Sequence, residues 1–349
     1  IGINGTDGTD GVDGADAKGN IDFSNFVPLT LSANSADWDE TSPWKLPVGF
    51  SARTVSTEAD LNIYPNGLDD WHDMNVVNET GKDAGRYMYR THEVRLGDSA
   101  DPAINAAGGA VTVVDLETGI ANIIAQSTEY TALDGVDWTP WGSVVFGEET
   151  TGGSFFEIIL NDDMVSGTVV ERPAVGYLAH EGMQFDDAGN LYVVDEHRGR
   201  TSGCTDSVTG EDMLPCGGGI YKFVPNTAGD LSAGNLYVLG FPDANRDGVG
   251  QGAWLGPIDP ATARESGTKA GGKSYQRPED LEVIDGVLYA AITEGPRDEY
   301  NKEYYEGRVI SINLDTMKVA NFAKAGVNAA IELGKPGENG HQTGFDCVE

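Results

Sequence analysis

The sequence predicts an all-β fold, on three observations. Short apolar or alternating runs are separated by Gly, Asp and Asn turns from about residue 45 onward. Helical periodicity is scarce, confined to short turns near Asn328–Leu333. Two phrases also recur at long spacing. One is AGNLYVVDE (188–196) and DGVLYAAITE (285–294), with AGNLYVLG (233–240) as a partial third. The other is GAVTVVDLETG (109–119), GGIYKFVPNTAG (218–229) and GRVISINLDTM (307–317).

The expected strands include Ala110–Leu116, Ser143–Gly147, Phe155–Leu160, Asn190–Asp195, Gly219–Val224, Asn235–Gly240, Gly286–Thr293 and Arg308–Leu314. The paired phrases describe a strand that enters a hub, a turn, and a second strand leading to a Gly-rich hairpin. That is the rhythm of β-propeller blades, and about five to six fit residues 21–349. GFDCVE (344–349) looks like the entry to a further blade, so the last one is expected to be incomplete or completed by another strand. A β-sandwich is the competitor. It does not readily explain why acids open one phrase (His180-Glu181-Gly182, Pro278-Glu279-Asp280) and close the next strand (Asp195-Glu196, Thr293-Glu294). In a propeller those positions share one mouth of the central channel.

At 349 residues and 39% hydrophobic composition, the chain can bury a sizeable core. No apolar run approaches the length of a membrane span. The net charge is −34, from 56 Asp+Glu against 22 Lys+Arg, which argues against nucleic acid or anionic lipid as partners. Bound divalent cations would relieve the self-repulsion; acidity that merely keeps a salt-exposed protein soluble is the bland alternative. A first residue of Ile1 rather than Met suggests a processed protein. Cys204 and Cys216 bracket an eleven-residue polar loop, a disulfide staple for an oxidising compartment, and Cys347 is left over. A secreted or cell-surface location is expected.

Residues 1–20 form a Gly/Asp-rich tail in which Gly recurs every third position from Gly2 to Gly14. Without proline and with so few triplets, it reads as a solvated tail, or as a segment ordered by a neighbouring subunit or by cations.

Carboxylates and histidines cluster in DWHDMN (70–75), RTHEV (90–94), GEET (147–150), AHEG (179–182), VVDEHRG (193–199), RPEDLE (277–282) and ITEG (292–295). His72, His92, His180 and His197 lie within these clusters. Oxygen ligands converging from separate loops are what hard cations require. Each acid taken alone is equally readable as a turn cap or an ion-pair partner. Asp243, Asn245 and Asp247, followed by Gly248, match the first half of a calcium loop, although Trp254 stands where a bidentate Glu would close it. There is no Gly-x-Ser-x-Gly elbow, no phosphate loop of the Gly-x-x-x-x-Gly-Lys type, and no zinc-knuckle spacing.

Over roughly residues 45–320 the chain resembles the PhoX-type alkaline phosphatases, secreted β-propeller metalloenzymes. The resemblance rests on LPVGFSA (46–52), DWHDMNVV followed by RYMYRTHEV, TPWGSVVFGEET (139–150), AHEGMQFDDAGNLYVVDEHRG and QRPEDLEVIDGVLYAAITE, in that order. It implies hydrolysis of phosphate monoesters, with iron and calcium held in the channel mouth. It implies Glu149, Glu181 and Glu279 as metal ligands, with Asp73, Glu93, Asp195 and Glu294 as further candidates. Arg277 becomes the phosphate-orienting cation, a role suited to a guanidinium that can clamp two oxygens. The family's cysteine ligand to iron is missing: ALDGVDW (132–138) places Asp134 there, a hard oxygen donor where a soft thiolate is expected, which favours calcium or another hard cation and makes iron doubtful.

A rival expectation is a calcium-stabilised structural subunit that assembles through residues 1–20 into an extracellular filament or surface layer, with a degenerate site. A calcium-dependent sugar-binding propeller is a third.

Overall fold

The computed structural model describes residues 27, 46–48, 50–65, 68, 70–81, 83–97, 102–199, 202–242, 247–293 and 307–324. Asp243, Asn245, Glu294, Asn328–Leu333, Cys347 and the tail of residues 1–20 lie outside them, and with them most of the calcium loop and the assembly segment.

The chain forms a β-propeller. Its first blade is a four-stranded antiparallel sheet of β1 (His72–Val77), β2 (Tyr87–His92), β3 (Gly109–Asp115) and β4 (Ala121–Ser127), paired in chain order. The second follows the same plan with β5 (Leu133–Trp138), β6 (Val144–Gly153), β7 (Phe155–Leu160) and β8 (Gly167–Glu171). In the third, β9 (Leu178–Phe185) and β10 (Leu191–Asp195) are followed by a two-stranded insertion, β11 (Cys204–Thr205) and β12 (Asp212–Met213). That blade ends with β13 (Ile220–Thr227) and β14 (Asp230–Gly240). Next come β15 (Gly250–Gln251) and β16 (Ala253–Ile258); β16 extends the third blade beyond β14. The fourth blade is β17 (Pro278–Ile284), β18 (Val287–Ile292), β19 (Arg308–Asn313) and β20 (Lys318–Lys324), with β15 paired along its outer edge. These four blades fall among the described residues, and any further blade of the expected five to six would lie outside them.

The hydrophobic cores lie between blades, and alternate residues of one strand feed opposite sides. On β10, Leu191 and Val193 join Val145, Phe155 and Phe185 in one core, while Tyr192 and Val194 join Leu281, Leu288 and Ile310 in the next. On β6, Val145 enters the first of these, whereas Val144 and Phe146 pack with Tyr89 and Val111 of the first blade. Strands buried on both faces carry continuous apolar runs, which is why β3, β7, β10 and β18 stand out in the sequence, whereas β19 shows alternation.

The first strand of each blade was harder to see. β1, β5, β9 and β17 stand side by side around the hub. Each carries an irregularity in register at the same place: between His72 and Asn75, between Leu133 and Val136, opposite Val193–Asp195, and between Pro278 and Leu281. A bulge re-aims a side chain without ending the strand. The residues at these bulges are Asp73, Asp134, Glu181 and Glu279. The acids thus lie in the opening residues of the first strands, as the repeated phrases imply, and are held by the strand itself rather than by a loop. Two short helices, Pro102–Ala107 and Ala263–Lys269, are also additions to it.

Tight contact around the hub depends on glycine. A Cβ on Gly135 would lie 1.9 Å from the Glu181 carbonyl oxygen, and one on Gly182 would lie 2.3 Å from that of Glu279. Both neighbours are backbone atoms that cannot swing aside. The Cys204–Cys216 disulfide closes the inserted hairpin, with Cα atoms 5.7 Å apart. No helix among the described residues is long and apolar enough to cross a membrane.

Gly182→Ala is expected to lower stability by about 3 kcal/mol in chemical denaturation. Gly189→Ala, at a left-handed turn with open space around it, should cost only about 1 kcal/mol.

Candidate metal centre

Ala179, on β9, is the backbone pivot of the site. It pairs with Glu149 across the join between β6 and β9, and its carbonyl accepts from the Glu196 amide at 2.9 Å. Glu181 lies two residues further along β9. Glu149, Glu181 and Glu196 thus come from three different strands or strand ends. Each offers an oxygen, and those oxygens lie within 4.8 Å of one another.

Two arginines brace the cluster from outside. Arg277 binds Glu196 through Nε and approaches Glu279 Oε1 at 3.1 Å through Nη2. Arg95 binds Glu149 and reaches Glu93 Oε1 at 2.6 Å. Glu279 is 2% exposed and also accepts a hydrogen bond from the Thr293 hydroxyl. Even so, Glu181 Oε2 and Glu279 Oε2 are buried and have no hydrogen-bond partner. Buried carboxylate oxygens without donors carry a desolvation cost that a proton or a cation must offset.

The electrostatics agree. Burial, then contact with Glu196, pushes Glu149 up to about 8, against the opposing pull of Arg95. Burial and the neighbouring Glu279 and Asp134 raise Glu181 well above the usual carboxylate range. Arg277, though partly desolvated, is held more firmly protonated by Glu279, Glu196 and Glu181 around it.

Of the residues singled out from sequence, Glu149 and Glu181 belong to the cluster, Glu279 and Arg277 adjoin it, and Glu93 is tied to it through Arg95. Asp134 sits at the equivalent bulge one blade earlier, 5% exposed and close enough to Glu181 to raise it. Asp73 occupies that position on β1, half-buried, outside the three-residue cluster. Asp195 requires a correction. Fully buried, it holds Arg264 in a two-pronged ion pair at 2.7 and 2.8 Å and accepts from the amides of Ala179 and Gly218. Its oxygens are committed to the scaffold, and the adjacent Glu196 takes the site position. Asp247 is described: its carbonyl accepts from Arg308 at 2.7 Å.

Three histidines of these clusters, His92, His180 and His197, are scaffold groups too. His92 Nδ1 donates to the Asp70 carbonyl and its Nε2 accepts from the Thr112 hydroxyl, both at 2.8 Å; burial lowers its pKa to about 3. His180 Nε2 donates to the Gly176 carbonyl at 3.0 Å, and burial lowers its pKa to about 4. His197 Nδ1 donates to the Cys216 carbonyl, next to the disulfide. The donors gathered here are thus carboxylates alone, the hard-oxygen type that hard cations require.

No protein-family model and no curated protein matches this chain. Solved structures with a similar fold include virginiamycin B lyase from Staphylococcus aureus, at 12% identity and TM-score 0.36, covering 76% of this chain and 74% of that one. Another is the β-propeller domain of the Trilobed protease from Pyrococcus furiosus, at 12% identity and TM-score 0.31, covering 73% and 71%. Neither lends this chain an activity.

The raised carboxylates fix the sign of a pH dependence. An unfolded chain releases the Glu149 proton near 4.5, whereas the fold holds it to about 8, so its contribution to stability is full below the lower value and lost across that interval. In chelator, the melting temperature should therefore fall as pH climbs through that window. Added calcium should reduce the fall, because a bound cation replaces the protons. Glu181→Gln should raise stability in chelator at alkaline pH by about 1 kcal/mol by removing like-charge repulsion, and should abolish most of the calcium effect.

Proposed function

We propose that this chain is a metal-dependent phosphomonoesterase of the PhoX type, with calcium as the cation its donors suit best. The reading is carried by the convergence of Glu149, Glu181 and Glu196 within 4.8 Å beside the Arg277 guanidinium. A divalent cation there would supply Lewis-acid neutralisation of charge on a phosphoryl group. The chain's own contribution is placement. Glu149, Glu181 and Glu196 would hold the cation, Glu279 and Glu196 steer Arg277, and Arg277 would offer a planar fork to two phosphate oxygens.

Access is consistent with this role. The side chains of Arg95 and Arg277 are 41% and 27% exposed, so the cluster's outer side meets solvent while Glu279 at 3% forms part of its floor. Asp134 in place of the family's cysteine supports calcium and weighs against iron. A secreted setting is supported by the disulfide between Cys204 and Cys216.

Hydrolysis of an aryl phosphate at alkaline pH tests the reading on the intact protein. Turnover is expected with calcium, should vanish on chelation and return on re-addition, and should fall roughly a hundredfold in Arg277→Ala. Absence of turnover with calcium, with iron and with both together would defeat the enzymatic reading.

A further inference from the structure

We propose that Trp71 is a stacking subsite for a flat ring on the alcohol side of the phosphate ester, so that monoesters carrying a planar aromatic group are the preferred substrates. The inference rests on the phosphomonoesterase reading above, and begins from a repeat in the backbone. The residue immediately before β1, β5 and β17 is left-handed in each case: Trp71 at φ 37, Ala132 at φ 47 and Arg277 at φ 53. Each offers its carbonyl to the amide that follows the blade's second hub-side strand or lies at the matching place on it: Glu93 at 2.8 Å, Glu149 at 2.7 Å and Thr293 at 2.9 Å. Ala179 makes the corresponding bond with Glu196. One backbone frame thus serves all four described blades, at the end of the hub where the acids gather.

Only two of these positions carry a side chain larger than a methyl group. In the fourth blade it is Arg277, which engages Glu196 and Glu279. In the first blade it is Trp71, which is 59% exposed. Trp138 is buried, and Trp141 and Trp254 pack against the cores. A bulky residue in left-handed backbone is disfavoured, and such outliers cluster at binding and active sites. Trp71 is also coupled to the cluster: its carbonyl binds the Glu93 amide, Glu93 pairs with Arg95, and Arg95 pairs with Glu149.

Asp134 and Glu279 are buried, whereas the side chains of Arg95 and Arg277 reach solvent. A phosphate held at Arg277 would keep its organic group on that solvent side, at the end of the hub whose backbone frame also carries Trp71. An indole face there takes up a flat ring by stacking, as aromatic platforms take up bases.

Two measurements on the intact calcium-loaded protein test this. Steady-state kinetics of phenyl phosphate against glycerol phosphate should give a preference for the aryl ester that falls about tenfold in Trp71→Ala, mainly through KM, and is largely kept in Trp71→Phe. Equilibrium binding of phenyl phosphate against inorganic phosphate should show tighter binding of the aryl ester in the wild type, lost in Trp71→Ala. If both substrates respond equally to Trp71→Ala, or if the wild type binds phenyl phosphate no more tightly than inorganic phosphate, the subsite is overturned. An aryl preference in binding without turnover would instead sustain the subsite and sink the phosphatase reading.

Discussion

Mutual repulsion among buried carboxylates is the constraint around which this molecule is arranged. At a few ångströms separation, two such charges oppose each other by roughly 3 kcal/mol at an effective dielectric of about 20. Glu149, Glu181 and Glu196 stand within 4.8 Å, with Glu279 and Asp134 close behind. Without a cation the fold answers with two arginines at the periphery and with raised proton affinity inside. Neither remedy reaches Glu181 Oε2 or Glu279 Oε2 with a donor. The proposed cation would neutralise the acids gathered in this way.

The propeller is what makes the gathering available. Each blade's first strand faces the hub, each carries its bulge at the same height, and each bulge presents an acid. Repetition of this local device sets acids along the hub, and Glu149 of β6 and Glu196 after β10 join Glu181 there to complete the cluster. Gly135 and Gly182 let adjacent first strands close to backbone contact, which brings the acids together rather than leaving them around an open pore. Arg264 and Asp195 brace the third blade from behind, where an ion pair satisfied on every side holds the strand end that positions Glu196.

Much of this was legible in the sequence where burial is two-sided. Phe155–Leu160 matches its observed bounds, β3, β10 and β18 are recognisable because both faces are apolar, and β19 because it alternates. First strands such as HDMNVV and PEDLEV were missed, since their acids and bulges break the alternation that identifies a strand. The same bulges explain the slip at the site. Asp195 and Glu196 are adjacent and chemically alike, and the register shift between Val193 and Asp195 decides which faces the cluster. Parity counted along the strand could not. Arg95 was missed for a different reason: its pairing with Glu149 spans 54 residues and has no local signature.

Donor chemistry carries the proposed metal centre: three carboxylate oxygens within 4.8 Å make a hard site of the type that cations such as calcium occupy. The centre's claim to bind such an ion is tested most directly by diffraction from crystals grown with calcium, with anomalous scattering recorded. The account predicts a strong anomalous peak bounded by oxygens of Glu149, Glu181 and Glu196. A map without such a peak, in which those side chains turn apart toward solvent or are held by Arg95 and Arg277 alone, would contradict it.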